Sequence, residues 1–240
     1  MTPLPSFQYL TELAESISDL FYPPRCVSCQ ANTAYFCAHC KAELSYIKPP
    51  ICNKCGYPIA KQNSFCHQCQ TNPLNYLNTI RSAAFFDYGA LKTAIHQFKY
   101  RGVKILYRDF APMLADCYSD HQLNSDVIVP VPLHKSRYKE RGYNQATLLA
   151  KGLSRLIGLP VDNKTLTRHR ITQTQMALKA EERKINVSNA FTCQSTALKG
   201  KNILLIDDVC TTGATLDACA QALKQANVRA VYGLTLARAV

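Results

Sequence analysis

The stretch from Ile203 to Thr215 constrains the fold of this 240-residue chain more than any other. Four apolar residues are followed directly by two acids, and then by a series of small and hydroxylated residues. A short apolar run without alternation is typical of a strand buried on both faces of a parallel sheet. Helical spacing from Leu216 to Ala226 predicts a helix immediately after it.

The turn between this strand and helix is a candidate phosphate site. Its residues, called the phosphate loop below, are Thr211, Thr212, Gly213, Ala214 and Thr215. The first N–H groups of a helix have no partners inside it, and the helix dipole adds positive charge there. Asp207 and Asp208 would repel a phosphate, so we expect them to hydrogen-bond sugar hydroxyls, directly or through a metal ion. The alternative is a buried strand and a capped helix, with both acids solvated at the sheet edge.

The bulk properties indicate a globular protein. A hydrophobic fraction of 47% supports a real core, and 240 residues suffice for one large domain or two smaller ones. Residues 1–20 lack the basic start and apolar run of a secretory signal, and no stretch approaches the ~20 apolar residues of a membrane span. We therefore expect a soluble, cytoplasmic protein. Its formal net charge of +12 suits a polyanionic partner.

Eight cysteines form four Cys-x-x-Cys pairs in the first 70 residues. They are Cys26, Cys29, Cys37, Cys40, Cys52, Cys55, Cys66 and Cys69. In a cytoplasmic chain this spacing favours tetrahedral zinc over disulfides, and four pairs complete two closed, structural sites. The two sites are either sequential or interleaved along the chain. Each four-thiolate site carries a charge of −2, so two zinc sites lower the net charge by 4 and leave the protein basic.

The segment around these cysteines has two interpretations. Its basic and aromatic side chains fit contacts with nucleic acid, or simply a solvated basic face. They are Lys41, Lys48, Lys54, Lys61, Tyr46 and Tyr57. Before them, residues 6–21 have the spacing of an amphipathic helix, which either packs onto its own protein or docks a partner. The predicted organisation is therefore a helix within residues 1–22, a double zinc-finger module over 23–72 and a main domain over 79–240.

The main domain alternates strands and helices, which predicts a parallel α/β sheet with right-handed crossovers. The predicted strands lie at 80–88, 126–133, 203–206 and 228–237, and the predicted helices at 90–100, 103–123, 142–157 and 216–226. Residues 165–177 and 181–189 are polar, which suggests a lid that closes over substrate. The lid candidates are Arg168, Thr172, Gln175 and Arg183.

Val131 and Pro132 end the second predicted strand, and a dense basic loop follows. Its cations are His134, Lys135, Arg137, Lys139 and Arg141. Parallel sheets bind ligands at the carboxyl ends of their strands, so we expect this loop and the phosphate loop to face one pocket, with the basic loop as a pyrophosphate seat. The alternative is an ordinary exposed turn. Cys210 precedes the phosphate loop, where a helix terminus could lower its pKa for redox chemistry, although a space-filling role is favoured.

The stretch at 203–215 resembles the signature of the phosphoribosyltransferase family. The resemblance implies a type I phosphoribosyltransferase fold with helices on both faces of the sheet. It also implies that Asp207 and Asp208 grip a ribose and that the phosphate loop holds its 5-phosphate. The ligand is then phosphoribosyl pyrophosphate (PRPP) with Mg²⁺, held by both acids, the phosphate loop, Val131, Pro132, Arg137 and Arg141.

The whole chain resembles the ComF family of competence proteins, also called GntX-like. The resemblance rests on the Pro-Pro before the first Cys-x-x-Cys and on four motifs at residues 129–132, 141–145, 172–186 and 207–215. It implies a zinc-finger module, a phosphoribosyltransferase domain and a cytoplasmic role in natural transformation with imported single-stranded DNA.

Three hypotheses of function follow. In the first the chain is an enzyme in which Arg137 and Arg141 stabilise departing pyrophosphate, with Asp207, Asp208 and Arg141 as the catalytic candidates. In the second it senses PRPP without catalysis and binds single-stranded DNA. In the third it is a scaffold that docks other competence or recombination proteins through its first helix.

Overall fold

Four parallel strands form the central sheet of the protein. The structure is a computed structural model, and it describes residues 24–61, 64–86, 89–169, 190–194 and 196–239. Its strands are β1 (Thr79–Phe85), β2 (Val127–Pro130), β3 (Leu166–Arg168), β4 (Phe191–Cys193), β5 (Asn202–Cys210) and β6 (Ala230–Arg238). The central sheet has the order β1-β6-β5-β2, and β3 pairs with β4 in a separate antiparallel ladder. The predicted α/β class with a parallel sheet is confirmed.

Helices cover both faces of the central sheet. They are α1 (Ala38–Ala42), α2 (His67–Thr71), α3 (Ala90–Tyr100), α4 (Tyr107–Asp120), α5 (Lys135–Arg141), α6 (Gln145–Ile157) and α7 (Ala214–Gln225). On one face α3, α4 and α6 share a core with Leu204 and Ile206, and on the other α7 shares a core with Ile203 and Leu205. Because successive strand side chains point to opposite faces, this double burial explains the unbroken apolar run before Asp207.

Two predicted elements differ from the structure. The basic segment after Pro132 is not a loop, because residues 135–141 form α5. His134 caps this helix by accepting the Ser136 N–H at 3.2 Å, and Gly142 ends it in the left-handed region at φ 77°. Strand β2 ends at Pro130 rather than at residue 133, because prolines contribute no N–H to the ladder.

The zinc-binding segment covers the edge of the sheet formed by β1. Ile47 N–H donates to Ala83 O at 3.0 Å, and Phe85 N–H donates to Ser45 O at 2.9 Å. Nearer the start of β1, Ile80 N–H donates to Lys54 O at 2.7 Å. Hydrogen-bonding groups that an edge strand would expose are thereby satisfied within the chain.

The cysteines of this segment enter both cores. Cys26, Cys37 and Cys40 belong to the core of α3, α4 and α6, whereas Cys52, Cys55, Cys66 and Cys69 belong to the core of α7. On the first face, Phe36 packs edge to face on Phe110 with ring centroids 6.1 Å apart, and Lys41 Nζ lies 2.7 Å from Asp109 Oδ1. The domain boundaries at residues 23–72 and 79–240 stay a prediction, as does the helix at 6–21, which lies outside the described residues. Within the described ranges, no helix is long and apolar enough to cross a bilayer.

Candidate functional site

Asp208 lies at the carboxyl end of β5 and is held by a cation that the sequence motifs did not identify. Its side chain is buried, and Lys99 Nζ from the end of α3 lies 2.8 Å from Oδ1. The second oxygen, Oδ2, is buried without a hydrogen-bond partner in the described parts of the chain. A buried acceptor without a partner is costly and uncommon in native proteins. The carboxylate therefore has an unused acceptor for a ligand hydroxyl.

Asp207 is the second member of the acidic pair. One of its carboxylate oxygens, Oδ1, accepts the Asp208 N–H at 2.9 Å. Burial and the neighbouring charge of Asp208 raise its pKa to about 7, against the opposing effect of the cations Lys99 and Arg168. The nearby Asp208 carboxylate disfavours a charge on Asp207, because like charges repel in a site that is shielded from water.

The phosphate loop follows β5 directly and leads into the first turn of α7. Gly213 adopts φ 83°, and a Cβ added there would lie 2.8 Å from Ile80 Cδ1, so this position needs glycine both for its backbone conformation and for its lack of a side chain. Ala214 N–H donates to Thr212 Oγ1 at 3.3 Å. The predicted loop residues thus lie together at a helix N-terminus, next to the acidic pair.

The end of β2 lies beside the acidic pair. Val131 N–H donates to Ile206 O at 2.9 Å, which aligns Val131 and Pro132 with the residue before Asp207. Asn144 fixes this segment, because its Nδ2 donates to Val131 O at 2.9 Å while its Oδ1 caps α6 by accepting from Ala146 N–H at 3.0 Å. The two predicted halves of the site therefore meet at the carboxyl ends of adjacent strands.

The predicted arginines separate into two groups. Arg137 on α5 repels Arg168 on β3, and Arg168 is attracted to Asp207, so these three charges lie in one region. Burial is the main cause of the lowered pKa of Arg168, whose guanidinium lies 5.3 Å from the Phe191 ring centroid. Arg141 instead donates to Gln145 Oε1 and stacks on Tyr100, with Cζ 5.2 Å from the ring centroid. The other lid candidates, Thr172, Gln175 and Arg183, lie outside the described residues.

The eight paired cysteines form two sequential clusters, which decides between the two pairings that the sequence left open. The first cluster is Cys26, Cys29, Cys37 and Cys40, and the second cluster is Cys52, Cys55, Cys66 and Cys69. In each, all four sulfurs lie within 4.8 Å of one another. Sulfur–sulfur distances of 3.5 Å for Cys29–Cys37 and for Cys55–Cys66 are close to the roughly 3.8 Å edge of a tetrahedron with Zn–S bonds of about 2.3 Å. They are far from the ~2.0 Å of a disulfide, so both clusters fit structural zinc.

Comparison with known proteins identifies two domain families in this chain. Residues 17–70 match the double zinc ribbon domain family, and residues 102–239 match the phosphoribosyl transferase domain family. Competence protein F of Haemophilus influenzae is 30% identical over 230 residues, which cover 91% of this chain and 99% of that protein. The chain belongs to the ComF family.

Two further ComF-family relatives match over most of their length. Competence protein ComFC of Bacillus subtilis is 30% identical over 211 residues, covering 84% of this chain and 83% of that protein. DNA utilization protein YhgH of Escherichia coli is 33% identical over 194 residues, covering 78% of this chain and 84% of that protein. The similarity therefore extends through both the zinc-binding segment and the phosphoribosyltransferase domain.

Three of the six zinc-segment residues predicted to contact nucleic acid are engaged within this ComF-family chain. Lys41 pairs with Asp109, Lys54 donates to Leu77 O, and the Tyr57 ring lies 5.7 Å from the guanidinium of Arg238. The other three, Lys48, Lys61 and Tyr46, are exposed. The predicted nucleic-acid surface on the zinc segment is thus reduced, because half of its side chains join the segment to the rest of the protein.

A different exposed surface combines aromatic and basic side chains. Tyr100 and Tyr138 are 56% and 52% exposed, and Arg141 belongs to the same surface. Arg141 stacks on Tyr100 and lies one helical turn from Tyr138 on α5. The exposed cations Arg101 and Lys139 flank this group. These five residues are called the tyrosine surface below; sequence motifs missed it because α3 and α5 contribute from distant parts of the chain.

The surroundings of Cys210 disfavour a reactive thiolate, although Arg238 lies next to its sulfur. It is buried between β5 and the phosphate loop, and burial raises its pKa. The expectation that a helix terminus lowers this pKa is wrong, because desolvation of the thiolate outweighs the helix dipole. The space-filling interpretation agrees with its burial.

Proposed function

We propose that this protein binds PRPP with Mg²⁺ at the carboxyl ends of β2 and β5. Asp207 and Asp208 accept hydrogen bonds from the ribose hydroxyls, and the phosphate loop donates backbone N–H groups to the 5-phosphate. The pyrophosphate seat is lined by Val131, Pro132 and Arg137. Arg141 joins it when its hydrogen bond to Gln145 breaks. The observation that carries the proposal is Oδ2 of Asp208, which is buried next to a helix N-terminus and has no hydrogen-bond partner among the described residues.

Magnesium fits the chemistry of this site. Carboxylate oxygens and phosphate oxygens are the ligands that Mg²⁺ prefers, and the acidic pair offers the former while PRPP brings the latter. When bound, the ion neutralises part of the pyrophosphate charge. Asp207 is the candidate to hold it, because Lys99 already compensates Asp208.

Calorimetric titration of PRPP and Mg²⁺ into the wild type, Asp208→Asn and Asp116→Asn tests the binding proposal. Loss of a hydrogen bond to a charged acceptor lowers affinity roughly 10- to 100-fold, and we expect that loss in Asp208→Asn. Asp116 is exposed on α4, and its variant should bind like the wild type. Equal affinity in all three proteins would exclude the acidic pair as the ribose site.

Catalytic transfer and non-catalytic sensing are two versions of this proposal. In transfer, the bond from ribose C1 to a pyrophosphate oxygen breaks, the acceptor bonds to C1 and gives up its proton, and pyrophosphate departs with the electron pair. That proton passes to solvent, because Asp207 is occupied by the ribose and Mg²⁺ in the proposed complex. Pyrophosphate release that requires an acceptor and disappears in Asp207→Asn supports transfer, whereas tight binding without release supports sensing.

We also propose that the protein acts in the cytoplasm during natural transformation and binds imported single-stranded DNA. Its relatives named as competence and DNA utilization proteins support this role, as do the net charge of +12 and the tyrosine surface. Bases stack on exposed aromatic rings while neighbouring cations hold the phosphates. The tyrosine surface adjoins the PRPP site through Lys99, which precedes Tyr100 and pairs with Asp208.

Fluorescence anisotropy with labelled oligothymidylate compares this surface with the zinc segment. Stacking contributes about 1–3 kcal/mol per base, so Tyr100→Ala and Tyr138→Ala should each weaken binding roughly tenfold. Tyr46→Ala reports on the zinc segment. Tyr76→Ala serves as the matched control, because Tyr76 belongs to neither surface and its hydroxyl accepts a hydrogen bond from Gln221. A loss confined to Tyr46→Ala would move the DNA site to the zinc segment, and no binding at low salt would exclude DNA as a partner.

The scaffold hypothesis concerns residues 1–22, which lie outside the described part of the chain. Competence or recombination proteins are the proposed partners of this segment. A chain lacking residues 1–22 should lose those partners and keep PRPP binding. Retention of every partner would exclude docking through the first helix.

A further inference from the structure

Arg238, the last residue of β6, lies between the second cluster and the phosphate loop. It is 1% exposed, although it ends a strand of otherwise apolar or uncharged residues. Its Nη1 donates to Cys55 O at 2.7 Å and to Cys210 Sγ at 3.5 Å. One side chain therefore contacts a zinc-ligand residue and the residue that precedes Thr211.

Burial of an isolated guanidinium is strongly unfavourable, so this position needs a compensating charge. Four thiolates and one Zn²⁺ in the second cluster carry a net charge of −2, and Cys55 belongs to that cluster. The Tyr57 ring adds a cation–π contact, with its centroid 5.7 Å from Cζ. The planar guanidinium can meet these partners in different directions, which a lysine ammonium cannot reproduce.

The same arginine is fixed to the strand that carries the acidic pair. Arg238 is the parallel partner of Cys210 in the register of β6 and β5, and the next residue, Ala239, donates its N–H to Cys210 O at 2.8 Å. Cys210 is thus held through both its backbone and its sulfur. Because Thr211 follows immediately, the position of Cys210 sets the start of the phosphate loop.

Two further contacts join the zinc segment and the linker after it to the same loop. Ile80, whose N–H donates to Lys54 O next to Cys55, packs against Gly213, where an added Cβ would lie 2.8 Å from Ile80 Cδ1. In the first turn of α7, the Asp217 carboxylate accepts three backbone N–H groups from residues 75–77 at 2.9–3.1 Å. The start, middle and end of the loop region therefore rest on the second cluster and its linker. The first cluster packs on the opposite face of the sheet.

We propose that Arg238 is a positioning residue that couples zinc in the second cluster to PRPP binding at the phosphate loop. The inference rests on the proposed PRPP site and adds a dependence that the first cluster does not share. Coupling between two sites is reciprocal, so PRPP should stabilise zinc in the second cluster to the same extent as that zinc favours PRPP.

Zinc release from the full-length protein to a chromogenic chelator, with and without PRPP and Mg²⁺, tests the coupling. Alkylation of the released thiols followed by mass spectrometry identifies which cluster has lost its metal. At equilibrium with the chelator, we expect PRPP to raise the apparent zinc affinity of the second cluster at least fivefold, the lower end of typical allosteric coupling, and to leave the first cluster unchanged. In Arg238→Lys this protection should disappear with two zinc ions still bound.

Two further variants separate the contact of Arg238 with sulfur from a general effect of an arginine substitution. Cys210→Ala keeps the arginine and removes its contact to sulfur, so it should reduce the protection. Arg229→Lys replaces an exposed arginine just before β6 and should behave like the wild type. Amide hydrogen exchange of residues 211–217 without ligand gives an independent measurement, in which Arg238→Lys should exchange faster than Arg229→Lys.

The outcomes separate this proposal from the one on which it rests. PRPP that binds by calorimetry and protects neither cluster, or both equally, would overturn the role of Arg238 and leave the PRPP site intact. Unchanged exchange of residues 211–217 in Arg238→Lys would also overturn it. No calorimetric binding of PRPP would overturn both proposals together.

Discussion

Lys99 and Asp208 form a largely buried ion pair, with Nζ 2.8 Å from Oδ1, at the residue to which the ribose is assigned. Lys99 comes from α3, and Asp208 follows the apolar run of β5. An ammonium in this position binds Oδ1 of Asp208, and Oδ2 remains available to a ligand. The pair explains how two adjacent acids are accommodated in a buried site.

Replacement of Lys99 by methionine should destabilise the fold. Removal of one partner from a buried pair leaves an uncompensated charge, at a cost of about 3–5 kcal/mol in the free energy of unfolding. Urea denaturation measures this change, and Lys151→Met, at an exposed position on α6, is the matched control. The double variant with Asp208→Asn should recover part of the loss, since it removes the unpaired charge. Additive effects of the two substitutions would indicate that the pair contributes no coupling.

The raised pKa of Asp207 predicts a pH dependence of stability. A carboxyl group with a folded-state pKa of about 7 and an ordinary value of 3.8 binds more protons in the folded than in the unfolded state between these pH values. Its contribution to stability is therefore present at low pH and is lost as the pH rises through about 7. Relative to Asp207→Asn, the wild type should lose roughly 1–3 kcal/mol between pH 5 and pH 8.

The groups that face Asp207 set the size of this effect. Asp208 raises the pKa, whereas Lys99 and Arg168 lower it, so Lys99→Met should move the transition to higher pH. Urea midpoints across the pH range, measured on all three proteins, check both statements. A constant difference between the wild type and Asp207→Asn would contradict the assigned pKa.

Much of the architecture could be predicted from local patterns. The run at 203–206 predicted a strand buried on both faces, and the cysteine spacing predicted two zinc sites, because these signals lie within a few consecutive residues. Sequential pairing of the clusters could not be chosen from spacing alone, since interleaved sites use the same turns. Helix α5 was predicted as a loop because its many basic residues suggested an exposed anion-binding segment. Those residues are also ordinary helix formers, and they lie between a histidine cap and Gly142.

Contacts between distant residues had weaker signals. Lys99 appeared only as a basic helix end, and nothing in its spacing indicates that it reaches Asp208, 109 positions later in the chain. Arg238 did carry a signal, since it is a single cation after eight apolar or uncharged strand residues. A charge in such a run indicates a buried partner, although only the fold identifies that partner as Cys55 and Cys210.

Sequential zinc pairing predicts the metal content of double variants. Cys26→Ser with Cys40→Ser removes ligands from one cluster, so the protein should lose one of its two zinc ions. Cys26→Ser with Cys69→Ser disables both clusters and should lose both ions. Elemental analysis of the purified proteins distinguishes the two results. Loss of both ions from the first variant would indicate interleaved sites.

Gly213 and Gly158 offer a matched test of the phosphate loop. Both adopt a left-handed backbone, at φ 83° and 75°, but a Cβ at Gly213 would lie 2.8 Å from Ile80 Cδ1, whereas one at Gly158 would meet nothing within 4 Å. Gly158→Ala should therefore cost only the backbone strain, about 1–2 kcal/mol in the free energy of unfolding. Gly213→Ala should cost more, since the added Cβ would lie 2.8 Å from Ile80 Cδ1 and 3.2 Å from Leu74 Cδ1, and both side chains are buried in a close-packed core that must shift to make room.

The two variants should also differ in ligand binding. Displacement of Gly213 shifts the N–H groups that are assigned to the 5-phosphate, so calorimetry should show a loss of PRPP affinity of tenfold or more, on the order of 1.4 kcal/mol, in Gly213→Ala alone. Gly158 ends α6 on another part of the surface, and its alanine variant should bind PRPP like the wild type. If Gly213→Ala is destabilised yet binds PRPP with unchanged affinity, the turn between β5 and α7 is a structural element and the phosphate is held elsewhere.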